Sequence, residues 1–212
     1  MERKQVIANQ KLLQLYFIRH GETAWSLTGQ HTGSTDIPLT ADGEDEARGL
    51  EPWLREIEFT RVLTSPLQRA RRTCELAGLG SLAEIEPDLS EWDCGDYEGQ
   101  LTQNLRKERP DWNLFRDGCP GGETPAQVSG RASRLIAQLQ GLQGNVALFS
   151  HQQFGCVLAA RWIGLTAIAG QHFFLRSASL SILGHESSQP KTQVIALWNA
   201  APALLPGMAQ TS

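Results

Sequence analysis

The sequence predicts an α/β fold, a three-layer α/β/α sandwich whose mainly parallel sheet carries one antiparallel strand. Three observations lead there. Short apolar runs at 12–18, 61–64 and 145–149 alternate with longer stretches of helical spacing, and such alternation implies parallel strands with crossover helices on both faces. The residues with the most chemical character (Arg19-His20, Ser65 leading to Arg69, and His151) fall just past the ends of those runs. Ligands bind open α/β sheets at that edge. Two final apolar segments, 178–183 and 193–197, flank a short turn containing Gly, Ser and Pro, and are expected to pair as a hairpin.

Each element has its own warrant. Residues 1–11 are polar and patternless, and read as a loose tail ahead of a buried strand at 12–18. Residues 24–40 are rich in Gly, Ser and Thr and read as one long loop. Thr40 is the expected N-cap of a helix over 41–57, in which Ala47, Leu50, Leu54 and Ile57 recur at helical spacing. A strict capping box would put an acid where Gly43 stands. Strand 61–64 leads to a helix from Pro66 to about residue 77, with proline in its first turn. A weaker strand covers 84–87. Residues 89–123 form an insert with short helices near 101–109 and 111–116. Thr124-Pro125 opens a long helix to about 142, with Val128, Leu135, Ile136 and Leu139 on one face. Strand 145–149 and helix 153–163 precede the final hairpin. The 212 residues fit a single domain.

Composition excludes several classes of function. A formal net charge of −4 does not supply the basic face a nucleic-acid partner needs, although a few convergent arginines can still make a positive pocket in an acidic protein. No apolar run approaches the ~18 residues of a membrane span, and the first residues lack a signal-peptide core. Cys74, Cys94, Cys119 and Cys156 are scattered without Cys-x-x-Cys spacing, which gives neither a zinc site nor a disulfide framework. A reducing, cytoplasmic home is expected, with no metal and no cofactor.

Residues 16–23 read Tyr-Phe-Ile-Arg-His-Gly-Glu-Thr: an apolar strand delivers an Arg-His pair into a loop opened by Gly21. Thr64-Ser65-Pro66-Leu67-Gln68-Arg69-Ala70, then Leu89-Ser90-Glu91 with Gly95-Asp96-Tyr97-Glu98-Gly99, then Phe149-Ser150-His151 follow in order. With these landmarks the chain resembles the histidine phosphatase superfamily, also called phosphoglycerate mutase-like, over about residues 14–200. The resemblance implies that His20 is a nucleophile that becomes phosphohistidine. Arg19 and Arg69 would grip the phosphate, His151 would stabilise developing charge, and Glu91 would be the acid that protonates the departing alkoxide. The chemistry suits the residue types. Guanidinium forks match phosphate oxygens, and nearby cations keep an attacking imidazole neutral.

Gly29-Gln30-His31-Thr32-Gly33 resembles the family's substrate loop, which implies contacts from Thr32 and the Gly33 amide, and from Ser26 and Gln30. His31, His172 and His185 stand in no motif and read as structural or exposed. Gln152 occupies the position after the second histidine where the family usually has glycine, and so enters the expected substrate contacts. The family's mutases carry a pair of arginines in the insert, whereas residues 99–124 have only scattered Arg106, Lys107, Arg109 and Arg116. A phosphatase is therefore expected, similar to the branch that includes sedoheptulose-1,7-bisphosphatase. Its partner would be a small phosphate ester, such as a sugar phosphate or bisphosphate. Mutase-type transfer and a non-catalytic phosphate-ester binder are the alternatives.

Overall fold

A computed structural model describes residues 11–201. Apart from Lys11, the tail expected at 1–11 lies outside the described residues. In chain order the elements are β1 (Gln14–Arg19), α1 (Ala24–Thr28), α2 (Ala41–Arg48), α3 (Glu51–Leu54), β2 (Phe59–Thr64), α4 (Gln68–Leu76), β3 (Ala83–Ile85), α5 (Thr102–Glu108), α6 (Leu114–Asp117), α7 (Pro125–Leu139), β4 (Asn145–Ser150), α8 (Gln152–Trp162), β5 (Leu180–His185) and β6 (Gln193–Ala200).

The strands form one six-stranded sheet in the order β3-β2-β4-β1-β5-β6. The pairs β3–β2, β2–β4 and β4–β1 are parallel. β5 runs antiparallel to both β1 and β6, so it is the single reversed strand that the hairpin reading requires.

Alternation along the strands divides the core in two. Leu15 and Phe17 of β1, with Val146 and Leu148 of β4, pack with α7, α8 and the insert. Tyr16, Ile18, Ala147 and Phe149 face the other way, onto Leu50, Leu54 and Cys74. Side chains on a strand alternate between its faces, so one apolar run supplies both interfaces and the result is three layers.

Three expectations need correction. The helix expected at 41–57 is interrupted. Pro52 lacks an N–H and its ring would crowd the carbonyl four residues back, so α2 ends at Arg48 and α3 restarts with Pro52 in its first turn. Pro66 lies outside α4, which begins at Gln68 with Leu67 as N-cap. The stretch read as all loop, 24–40, holds α1, started by a reciprocal capping box in which Thr23 Oγ1 accepts from Ser26 N–H and Ser26 Oγ accepts from Thr23 N–H.

Candidate active site

β1 carries Arg19 and His20 to the carboxyl edge of the sheet, and Gly21 lets the chain turn there. A Cβ on Gly21 would strike the Gly43 carbonyl oxygen, and one on Gly43 would strike Glu22 O. The loop after β1 therefore lies directly on the first turn of α2. Gly21 N–H also donates to Thr73 Oγ1 at 3.0 Å, and that hydroxyl donates to Arg69 O at 2.7 Å. α4 is thus tied to the same loop.

His20 is buried, with Nδ1 2.7 Å from the Gly21 carbonyl oxygen. A carbonyl only accepts, so the Nδ1 proton is fixed there and the Nε2 lone pair is the free one. Burial, then the guanidiniums of Arg19 and Arg69, push the His20 pKa well below its ordinary value. The ring is neutral near pH 7. Arg19 donates from Nη1 to Leu175 O at 2.6 Å, while its buried Nε has no partner among the described residues. An unpartnered buried donor on a cation is costly unless an anion meets it.

Arg69 and His151 are fully buried behind this face. Arg69 donates from Nη1 to Thr35 O and from Nη2 to Gly33 O, each at 2.9 Å, and from Nε to His151 Nδ1 at 3.2 Å. Arginine only donates, so His151 Nδ1 is an acceptor and its proton sits on Nε2. That proton points to Ser65 Oγ at 2.8 Å. The two histidine rings are 5.2 Å apart. Burial, followed by Arg69, His20 and Arg19, holds His151 well below its ordinary pKa.

Glu91 is buried, as are Leu89 and Trp92 in the same segment. Its Oε1 accepts from Trp92 N–H and Phe154 N–H, both at 2.8 Å, and its Oε2 from Gln153 N–H at 3.0 Å. His151 is the N-cap of α8 but makes no side-chain cap, so Glu91 occupies that role from another segment. Burial raises its pKa, and the three amide hydrogen bonds oppose the rise without cancelling it.

Arg19, His20 and Glu91 open onto a cleft of about 180 Å³, whose lining does not include Arg69 or His151. Its floor is Arg19, His20 and Glu91, and its walls include Ser26, Gln30, Thr32 and Gln152. Thr102, Gln153 and His31 line it too. From sequence His31 is expected to be structural or exposed, although it stands within the loop 29–33 that resembles the family's substrate loop. It arrives because residues 30–31 pair with residues 99–101 of the insert, through Gln30 and Leu101 and through His31 N–H to Gln100 O at 2.9 Å. Gly33 is not in the wall. Its amide, expected to contact the phosphate or the sugar, donates to both carboxylate oxygens of Glu98, at 2.9 and 3.1 Å. Gln30 and Ser26 line the cleft, but their side chains are already held, by Gly99 O and by the Thr23 cap. Neither Gln152 nor Gln153 makes a side-chain hydrogen bond to the described residues, so both are free donors in the wall.

A buried neutral histidine with one lone pair exposed, an unpartnered guanidinium nitrogen beside it and a buried carboxyl nearby meet at this cleft. The model of the histidine phosphatase superfamily (branch 1) matches residues 15–200, and the chain belongs to that family. An acid phosphatase of Mycobacterium tuberculosis is 39% identical over 188 residues, covering 87% of this chain and 92% of the relative. Sedoheptulose 1,7-bisphosphatase of Saccharomyces cerevisiae is 40% identical over 182 residues, 70% of this chain and 66% of that enzyme. The solved structure of the open reading frame Rv3214 from Mycobacterium tuberculosis superposes with a TM-score of 0.83 at 36% identity, covering 92% of this chain and all of that one. The chain is an enzyme of the phosphatase class.

Proposed function

We propose that the protein is a cytoplasmic, metal-independent phosphomonoesterase that hydrolyses a small phosphorylated metabolite, a sugar phosphate or bisphosphate, through a phosphohistidine on His20. The observation that carries this is the fixed proton on His20 Nδ1, held by the Gly21 carbonyl, which leaves Nε2 as a neutral nucleophile aimed into the cleft. In the first step Nε2 attacks phosphorus and the ester P–O bond breaks. Arg19, through its unpartnered Nε, and Arg69 behind it offset the charge on the equatorial oxygens. His151 exchanges Ser65 for a phosphoryl oxygen as acceptor of its Nε2 proton. Glu91 gives a proton to the departing alkoxide, and then takes one from the water that breaks the P–N bond.

The raised pKa of Glu91 supports its place as the acid. Neutral hydrogen-bonding side chains beyond His20, among them Gln152, Thr32 and Thr102, suit a hydroxylated alcohol. The bisphosphatase relative is a phosphatase of a sugar bisphosphate by name, which points the same way.

The test is phosphate release in the presence of a chelator, across sugar mono- and bisphosphates, phosphoglycerates and an activated aryl phosphate, with His20→Ala alongside. Release that depends on His20 and is greatest on a sugar ester is the expected result. Metal-dependent release, or release that survives His20→Ala, would overturn the proposal.

A further inference from the structure

The segment that carries Glu91, residues 88–93, has no regular strand or α-helix to hold it, yet Glu91 must be placed to within a fraction of an ångström for proton transfer. Arg131, from the middle of α7, is buried beneath it. Its Nη1 donates to Asp88 O at 2.8 Å and Ser90 O at 2.7 Å, and its Nη2 to Glu91 O at 3.2 Å. Nε and the second Nη2 proton go to Glu123, at 3.0 and 2.7 Å. All five guanidinium N–H groups are thereby used. Glu123 in turn accepts from Asp93 N–H at 3.0 Å, and its carbonyl accepts from Trp92 Nε1 at 2.9 Å. The guanidinium also lies 4.6 Å from the ring centre of Phe154, whose N–H holds the Glu91 carboxylate.

We infer that Arg131, paired with Glu123, is the positioning residue for the general acid: it fixes the backbone of Glu91 and the α8 amide that orients its carboxylate as one unit. Arg131 does not line the cleft and touches no reacting atom. Three carbonyls, one carboxylate and one aromatic face converge on a single planar fork, which lysine cannot reproduce with three donors on one nitrogen. This inference rests on Glu91 acting as the acid.

Three variants on two substrates separate the possibilities. Arg131→Lys, Glu123→Gln and Glu91→Gln are assayed on an alkyl sugar phosphate, whose poor leaving group needs a proton, and on p-nitrophenyl phosphate, whose leaving group does not. Inhibition by inorganic phosphate is measured as a check that the anion site is intact. Misplacing a catalytic group by about an ångström costs on the order of a hundredfold. Arg131→Lys is therefore expected to lose about tenfold or more in kcat/KM, which reports the step of leaving-group departure, on the alkyl ester and less than about threefold on the aryl ester, with phosphate inhibition unchanged. Glu123→Gln should show the same split at smaller size, and decides the matter if Arg131→Lys does not fold. Equal losses on both esters for both variants would make the Arg131–Glu123 pair merely structural and overturn the inference. If Glu91→Gln itself lowers kcat/KM equally on the two esters, the acid assignment fails instead, and that result is distinct.

Discussion

Gly21 and Gly43 meet backbone to backbone, and neither has space for a methyl group. The glycine of the Arg-His-Gly sequence is thus explained by packing as much as by chain reversal. The same contact explains why Gly43 stands where a capping box would place an acid, since Thr40 Oγ1 caps Gly43 N–H without one. Gly43→Ala should cost about 1–3 kcal/mol of stability by overpacking, read as a fall in the urea midpoint. Because the displaced atoms belong to the His20 loop, turnover should fall further than the unfolded fraction explains. Gln152 is a residue of the opposite kind, with a free side chain. Gln152→Ala removes one donor to the substrate, worth roughly 0.5–1.5 kcal/mol. KM for a sugar phosphate should rise by about three- to tenfold with kcat little changed, and p-nitrophenyl phosphate should not register the substitution.

At the scale of elements, the junction of β4 and α8 does the most. β4 delivers His151 to the N-terminus of α8, and the N–H groups of that terminus hold Glu91. Glu91 has a raised pKa, so it carries its proton below that value and loses it as pH climbs. Turnover of an alkyl ester should therefore decline with rising pH as Glu91 ionises, and Glu91→Gln should flatten that limb of the kcat profile. Such elements were partly legible in advance. Short apolar runs marked β1, β2 and β4 closely, and Thr124-Pro125 marked the start of α7. Pro52 and the Thr23–Ser26 cap were local signals that also stood in the sequence, and they account for the broken helix and for α1. The pairing of residues 30–31 with 99–101 was not legible, because it joins distant segments without a periodic pattern. His31 and Thr102 reach the cleft by that pairing.

Over the whole molecule, the apolar core on both sides of the sheet supports a cluster of buried charge and buried neutral histidine. The fold therefore has a pH signature. His20 and His151 are held neutral, below their ordinary pKa, mainly by burial. In the unfolded chain both rings regain a pKa near 6.5 and take up protons first as pH falls. The stability they confer as neutral groups is complete above about pH 6.5 and is lost as pH falls toward their folded values. His151→Asn should accordingly show a shallower loss of urea midpoint between about pH 7 and about pH 5 than the parent protein. The layer arrangement and the one reversed strand followed from alternation of element types and the final hairpin. The depth of this cluster did not, since burial of Arg69 and His151 depends on how segments distant in sequence close over them.

The central claim is that phosphate passes through His20. Rapid acid-free quenching during turnover of a sugar phosphate, followed by peptide mass spectrometry, measures it directly. A phosphoryl adduct is expected on the His20 peptide, accumulating in Glu91→Gln with an activated aryl ester, for which departure is fast and hydrolysis slow. The adduct should be absent in His20→Ala. Turnover with no adduct on His20 under any of these conditions, or an adduct on another residue, would contradict the claim.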